Sequence, residues 1–116
     1  MSPVDSLIKD IKNNHFKPIY FLAGDEPFFI DQITDLLEEN ILAEEEKGFN
    51  QTIVYGQDVE IGQLIGMARQ YPMGAEKSVV IVKEAQHLSR TIDQLEIYAN
   101  QVQDSTIMII NYKGNS

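Results

Sequence analysis

Cysteine is absent from these 116 residues. That excludes disulfides and thiolate metal ligands and fits a reducing compartment. Basic residues are scarce as well: nine Lys and Arg stand against 18 Asp and Glu, a formal net charge of −9. Phosphate contacts supply most non-specific nucleic-acid affinity, so such a chain is a poor candidate to grip DNA or RNA by itself. No apolar run approaches the roughly 20 residues needed to cross a bilayer. The start, Met1-Ser2-Pro3-Val4-Asp5, lacks the basic-then-apolar pattern of a secretory signal. These absences together predict a cytoplasmic protein with no membrane segment. Asn50-Gln51-Thr52 matches a glycosylation triplet, but without a secretory route the match reads as chance. With no Cys and only His15 and His87, far apart, no metal site is expected.

What is present is an ordinary globular composition, 43% hydrophobic and 23% charged. It is enough for a core of its own and is read as one domain over 1–116. Ser2 is placed to cap a first helix, with Pro3 and Asp5 in its first turn. Val4, Leu7, Ile8 and Ile11 follow at helical spacing as far as Asn13-Asn14. Lys9, Lys12 and Lys17 read as a solvated face of that helix and its exit. Pro18 to Ala23 is an apolar run expected to be a strand buried on both faces. Pro27 to Leu42 reads as a second helix with Phe29, Ile33, Leu36, Leu37 and Ile41 inward, and Phe49 to Tyr55 as a second strand stopped by Gly56. Between them, Glu44-Glu45-Glu46 is expected at the far end of a helix or in a loop, where self-repulsion disfavours a folded interface.

Asp58 is placed to cap a third helix carrying Ile61, Leu64, Ile65 and Ala68. It ends near Gln70, because Pro72 disfavours helical geometry at its predecessor. Ser78 to Val82 is a largely β-branched strand, and Thr91 to Val102 a fourth helix with Ile92, Leu95, Tyr98 and Val102 inward. Thr106 to Ile110 is a fourth buried strand. Strands alternating with helices predict an α/β fold, a three-layer sandwich around a mainly parallel sheet with right-handed crossovers. The abrupt end at Tyr112-Lys113-Gly114-Asn115-Ser116, just past a strand, is expected of an N-terminal piece of a longer protein.

The turn after the first strand, Ala23-Gly24-Asp25-Glu26-Pro27, stands where a nucleotide-binding α/β domain keeps its phosphate loop. Such a loop needs several glycines to wrap backbone N–H groups around phosphates, and a Lys to meet their charge. Here there is one glycine, no Lys and two carboxylates, which would repel a triphosphate. Asp25 and Glu26 are better explained as the N-terminal cap of the following helix than as an acid/base pair or a Mg²⁺ site. The exit of the third strand, Val79-Val80-Ile81-Val82-Lys83-Glu84, has Lys83 where a nucleotidase places its metal-holding Asp, so it reads as a strand ending in a solvated Lys and Glu. Neither a cofactor nor a catalytic residue is expected.

One loop lacks a structural excuse. In Arg69-Gln70-Tyr71-Pro72-Met73-Gly74-Ala75-Glu76-Lys77, two large apolar side chains flank a proline at a turn that is ordinarily polar. Either Tyr71 and Met73 fold back over the sheet edge, or they stand out as contacts for a partner's pocket, with the proline lowering the ordering cost.

Laid out in this order, the chain resembles the N-terminal domain of the delta subunit of bacterial DNA polymerase III, part of the sliding-clamp loader. The resemblance rests on Pro18 to Ile30, on Ala68 to Lys83, and on the apolar strand Ile107 to Ile110 after a Gln-rich helix. It implies a degenerate AAA+/P-loop-like domain that lacks a functional nucleotide site. It also implies a non-catalytic part of the polymerase holoenzyme that binds the sliding clamp and helps to open it during DNA replication. Other clamp-loader subunits would be met through domains absent here, and DNA only indirectly. In that family two adjacent apolar residues of the helix-to-strand loop enter a pocket on the clamp. Those positions fall on Pro72 and Met73, just before Gly74, where the family more often has Leu or Phe followed by Phe. Tyr71 is then a further candidate for the aromatic contact.

The rival from another class is a phosphoacceptor, or a small enzyme, on a flavodoxin-like sheet. A receiver domain needs an acidic pair after the first strand and a lone Asp after the third. Asp25 and Glu26 supply the pair, but Lys83 and Glu84 supply no Asp. An ordinary ATPase is disfavoured by the missing glycines and Lys.

Overall fold

The apolar runs become parallel strands. The computed structural model describes residues 3–114, so Ser2, expected to cap the first helix, lies outside them. In chain order the elements are α1 (Pro3–Lys12), β1 (Ile19–Gly24), α2 (Pro27–Ile41), α3 (Glu44–Asn50), β2 (Gln51–Tyr55), α4 (Ile61–Ala68), β3 (Ser78–Lys83), α5 (Leu95–Ala99) and β4 (Thr106–Lys113). Short 3₁₀ turns lie at Ala85–Leu88 and Ile92–Gln94. The strands form a four-stranded sheet in the order β1-β4-β3-β2, with every pairing parallel. Parallel neighbours need crossovers, and the crossovers place helices on both faces. The result is the expected three-layer α/β sandwich.

Each face of the sheet has its own core. On one, Val79, Ile81, Ile107 and Ile109 pack with Tyr20 against Ile11 of α1 and Ile33 and Leu37 of α2. On the other, Val80, Val82, Met108 and Ile110 meet Leu64 and Ala68 of α4, Leu88, and Leu95 and Tyr98 of α5. One polar pair crosses between layers: the Thr34 hydroxyl of α2 donates to Asn111 Oδ1 of β4 at 2.8 Å, both residues being buried. Buried polar groups are tolerated when paired in this way. At the start of β1 the Lys17 N–H donates to the Tyr20 hydroxyl at 2.9 Å. Burial nevertheless raises the Tyr20 phenol above its ordinary 10.0, against the pull of Lys17 and helped by Asp10. A raised folded-state value means that this contribution to stability is fully present below the ordinary 10.0 and is lost as pH rises from there through the raised value.

Several expectations are corrected. β1 is an edge strand, not one buried on both faces, and Phe21 is 50% exposed. Phe29 is exposed too, so α2 faces inward with Ile30, Ile33, Thr34 and Leu37. The acidic run neither ends a helix nor lies in a loop: it begins α3. The Ala43 N–H donates to the Glu46 carboxylate at 2.9 Å, and Lys47 pairs with Glu44 at 2.8 Å. Carboxylates suit a helix N-terminus. Phe49 therefore belongs to α3, and β2 starts at Gln51. α4 begins at Ile61 after Glu60, whose N–H donates to Gln63 Oε1 at 2.9 Å, so Asp58 is not its cap. The expected helix over 91–102 is a 3₁₀ turn running into the five-residue α5.

Gly56, just after β2, is held by its N–H to the Lys83 carbonyl at 2.7 Å. A Cβ there would sit on the backbone carbonyl oxygen of Glu84, well inside contact distance, and backbone cannot swing aside as a side-chain tip can. Gly56→Ala should therefore destabilise the fold by about 1–3 kcal/mol. Urea unfolding checks this, and an unchanged midpoint would show that the β2 and β3 exits are looser than drawn.

Candidate functional site

Parallel pairing lines up the strand entrances along one edge of the sheet. The registers Gln51↔Val79 and Ser78↔Thr106 put the segments leading into β2, β3 and β4 side by side. The loop between α4 and β3 is pinned along its length by those neighbours. At its root the Arg69 guanidinium lies 5.2 Å from the centre of the Tyr98 ring and donates to the Gln101 carbonyl at 3.4 Å. Gln103 Nε2 donates to the Gln70 carbonyl at 2.9 Å. At its far end Lys77 Nζ donates to the Asp104 carbonyl at 2.8 Å, and the Ser78 N–H to the Ser105 carbonyl at 2.8 Å.

The tip carries the residues singled out from the sequence. Tyr71 is 79% and Met73 68% exposed, Pro72 is half-buried between them, and Gly74 turns the chain at φ +71°, a conformation that other residues rarely adopt. The side chains of Tyr71 and Met73 do not fold back over the sheet edge. They stand in solvent while the backbone beneath them is bonded.

Two neighbours of the tip were not legible as such. Asn50, the last residue of α3, is 4% exposed. Its Oδ1 accepts the Met73 N–H at 2.7 Å, and its Nδ2 donates to the Met73 carbonyl at 2.9 Å and to the Glu46 carbonyl at 3.0 Å. The only signal in the sequence was the triplet at Asn50. In the folded chain both hydrogens of that amide are engaged. Phe49, read as the start of a strand, is 78% exposed. It shares with Tyr71 a shallow cleft of about 30 Å³ lined also by Thr52, Met67 and Ser78. Phe49, Tyr71 and Met73 are thus three large exposed apolar side chains at the mouth of the sheet.

The opposite edge, where the strands end, is where a nucleotide would sit. There the Gly24 carbonyl accepts the Gly114 N–H at 2.8 Å, joining the turn to the end of β4. Asp25 and Glu26 are exposed. Glu26 occupies the cap position of α2 but makes no side-chain cap hydrogen bond, a correction to the capping role expected of the pair. Lys113, a cation within this region, pairs with Asp31 at 3.1 Å. At the exit of β3, Lys83 and Glu84 are half-buried, not fully solvated. Glu84 is left-handed at φ 54°, and its Oε2 is buried without a hydrogen-bond partner. His15 and His87 are exposed. Among the described residues no three His, Cys, Asp or Glu side chains gather as metal ligands would, and no helix is long and apolar enough to cross a membrane.

The chain matches the family model described as DNA polymerase III, delta subunit, over residues 20–116. It is similar to DNA polymerase III subunit delta of Bacillus subtilis (strain 168), with 22% identity over an alignment 111 residues long that covers 88% of this chain and 32% of that protein. Among solved structures it is similar to the Bacillus subtilis DNA clamp loader delta protein (YqeN), with a TM-score of 0.84 and 22% identity. That match covers 96% of this chain and 36% of the other, and it establishes a shared fold. The chain spans about a third of the length of both relatives.

Two exposed carboxylates at the Gly24 turn repel phosphates, the turn has no Lys to offset them, and the Gly114 N–H is already bonded to the Gly24 carbonyl. Millimolar ATP or GTP should therefore leave the melting temperature unchanged. A rise of several degrees would show binding to the native state, since a bound ligand must stabilise it.

Proposed function

Because the chain belongs to the DNA polymerase III delta subunit family, we propose that it binds the ring-shaped sliding clamp and helps to open it during DNA replication. On this reading it works in the cytoplasm without binding ATP and without catalysing a reaction. Other clamp-loader subunits are met through parts of the protein beyond these residues, and DNA is reached only through them. The observation that carries the reading is the α4–β3 loop, where Tyr71 and Met73 are exposed on a backbone tied to Asn50 and Gln103. Large apolar side chains held out on a fixed support give contact area at a small ordering cost. Pro72 and Gly74 complete the contact segment, and Phe49 extends it.

The phosphoacceptor alternative is not favoured. β3 leaves the sheet through Lys83 and a left-handed Glu84, and no Asp stands there to be phosphorylated.

Hot-spot side chains typically contribute about 2 kcal/mol or more, so Tyr71→Ala with Met73→Ala should weaken clamp binding by roughly thirtyfold or beyond. Unfolding free energy should barely move, because exposed side chains add little to a core. Titration calorimetry against the clamp and urea unfolding measure the two quantities. Loss of the fold would make these residues core, and undiminished binding would put the contact elsewhere. The net charge of −9 further predicts no gel shift with duplex DNA at about 150 mM salt, where electrostatic affinity is weak. A clear shift would assign direct DNA binding to this chain.

A further inference from the structure

One side chain satisfies both backbone groups of the residue at the heart of the exposed tip. Asn50 is buried, and its planar carboxamide meets the Met73 N–H and carbonyl as a neighbouring strand would, at 2.7 and 2.9 Å. Its second amide hydrogen is fixed on the Glu46 carbonyl inside α3, so the group cannot rotate away without breaking that bond as well. Only a carboxamide presents a donor and an acceptor in one plane in this way. An Asp would turn an oxygen toward two carbonyls. Without the lock, the Met73 peptide groups pass to water and the tip is free to move, and Tyr71 and Met73 must then be ordered at the moment of binding.

We infer that Asn50 is a positioning residue for partner recognition, holding the Tyr71–Met73 tip in its binding-ready conformation from the end of α3. The inference rests on the reading of Tyr71 and Met73 as the clamp contacts. It makes α3 part of the recognition apparatus, although the bonds from Asn50 need touch no partner atom.

A double-mutant cycle on the intact chain with its cognate sliding clamp tests this. Asn50→Ala alone should weaken binding about tenfold, the scale of re-ordering two flexible side chains. In the Tyr71→Ala/Met73→Ala background it should have no further effect, because nothing is left to position. A merely structural role would carry over in full. If the tip variant binds as tightly as the parent, the contact reading fails and the positioning role falls with it. If the tip variant weakens binding while Asn50→Ala does nothing, or adds in full, the contact stands and the positioning role is wrong. Should Asn50→Ala fail to fold, amide hydrogen exchange in the unaltered protein decides. The Met73 N–H should then be protected despite its exposed side chain, and exchange at the rate of an open loop overturns the inference.

Discussion

The constraint on which the rest of the structure depends is that a parallel sheet has no face to give to water. β4 shows it most clearly: from Thr106 to Tyr112 every residue is buried, with β1 on one side and β3 on the other. Such a strand can exist only if helices cover both sides, so the chain must leave and re-enter the sheet by crossovers. With the two faces taken by α1 and α2 and by α4 and α5, the sheet is left open at its rims and along the outer edges of β1 and β2.

The two rims are built differently. At the strand entrances, side chains reach across to backbone carbonyls of neighbouring loops, as Gln103, Lys77 and Asn50 do, and apolar side chains are left pointing out. At the strand exits, backbone meets backbone in the Gly114–Gly24 bridge and the tight approach of Gly56 to Glu84, Gln86 and Asp31 hold Lys113, and the side chains of the first turn are carboxylates followed by the exposed Phe28. A phosphate needs free N–H donors and positive charge at the exits. A protein partner needs preset apolar contacts, and the entrances offer them.

Much of this was legible in the sequence, for identifiable reasons. Val79 to Val82 and Ile107 to Ile110 are unbroken apolar runs that only a doubly covered strand accommodates, and the α4–β3 loop declared itself by placing Tyr71 and Met73 where polar residues are usual. What escaped was set by tertiary placement. The composition of β1 resembles that of an inner strand, and nothing local reveals that it lies at the sheet's edge. α3 is written with three glutamates and a glycine, and its support comes from Glu46 capping Ala43 and from Asn50 packing into the loop. Ile92, Leu95 and Tyr98 are spaced by three, which suits 3₁₀ geometry as well as an α-helix, and the chain divides the segment between the two. The bond from Asn50 to Met73 reaches across β2 and α4, and no short-range pattern encodes it.

The order β1-β4-β3-β2 also bears on how the protein is made. Among the described residues the first strand pairs with the last alone, Ile19 lying beside Met108. On the ribosome, therefore, the backbone of β1 waits without a strand partner until nearly all of this segment has been synthesised. β2 and β3 are in the meantime free to pair, because Gln51 needs only Val79. Closure by β4 is the step that joins the halves, and contacts so distant in sequence form slowly. The interval before β4 emerges is when the edges of β1 and β3 that it will fill are open to wrong pairing.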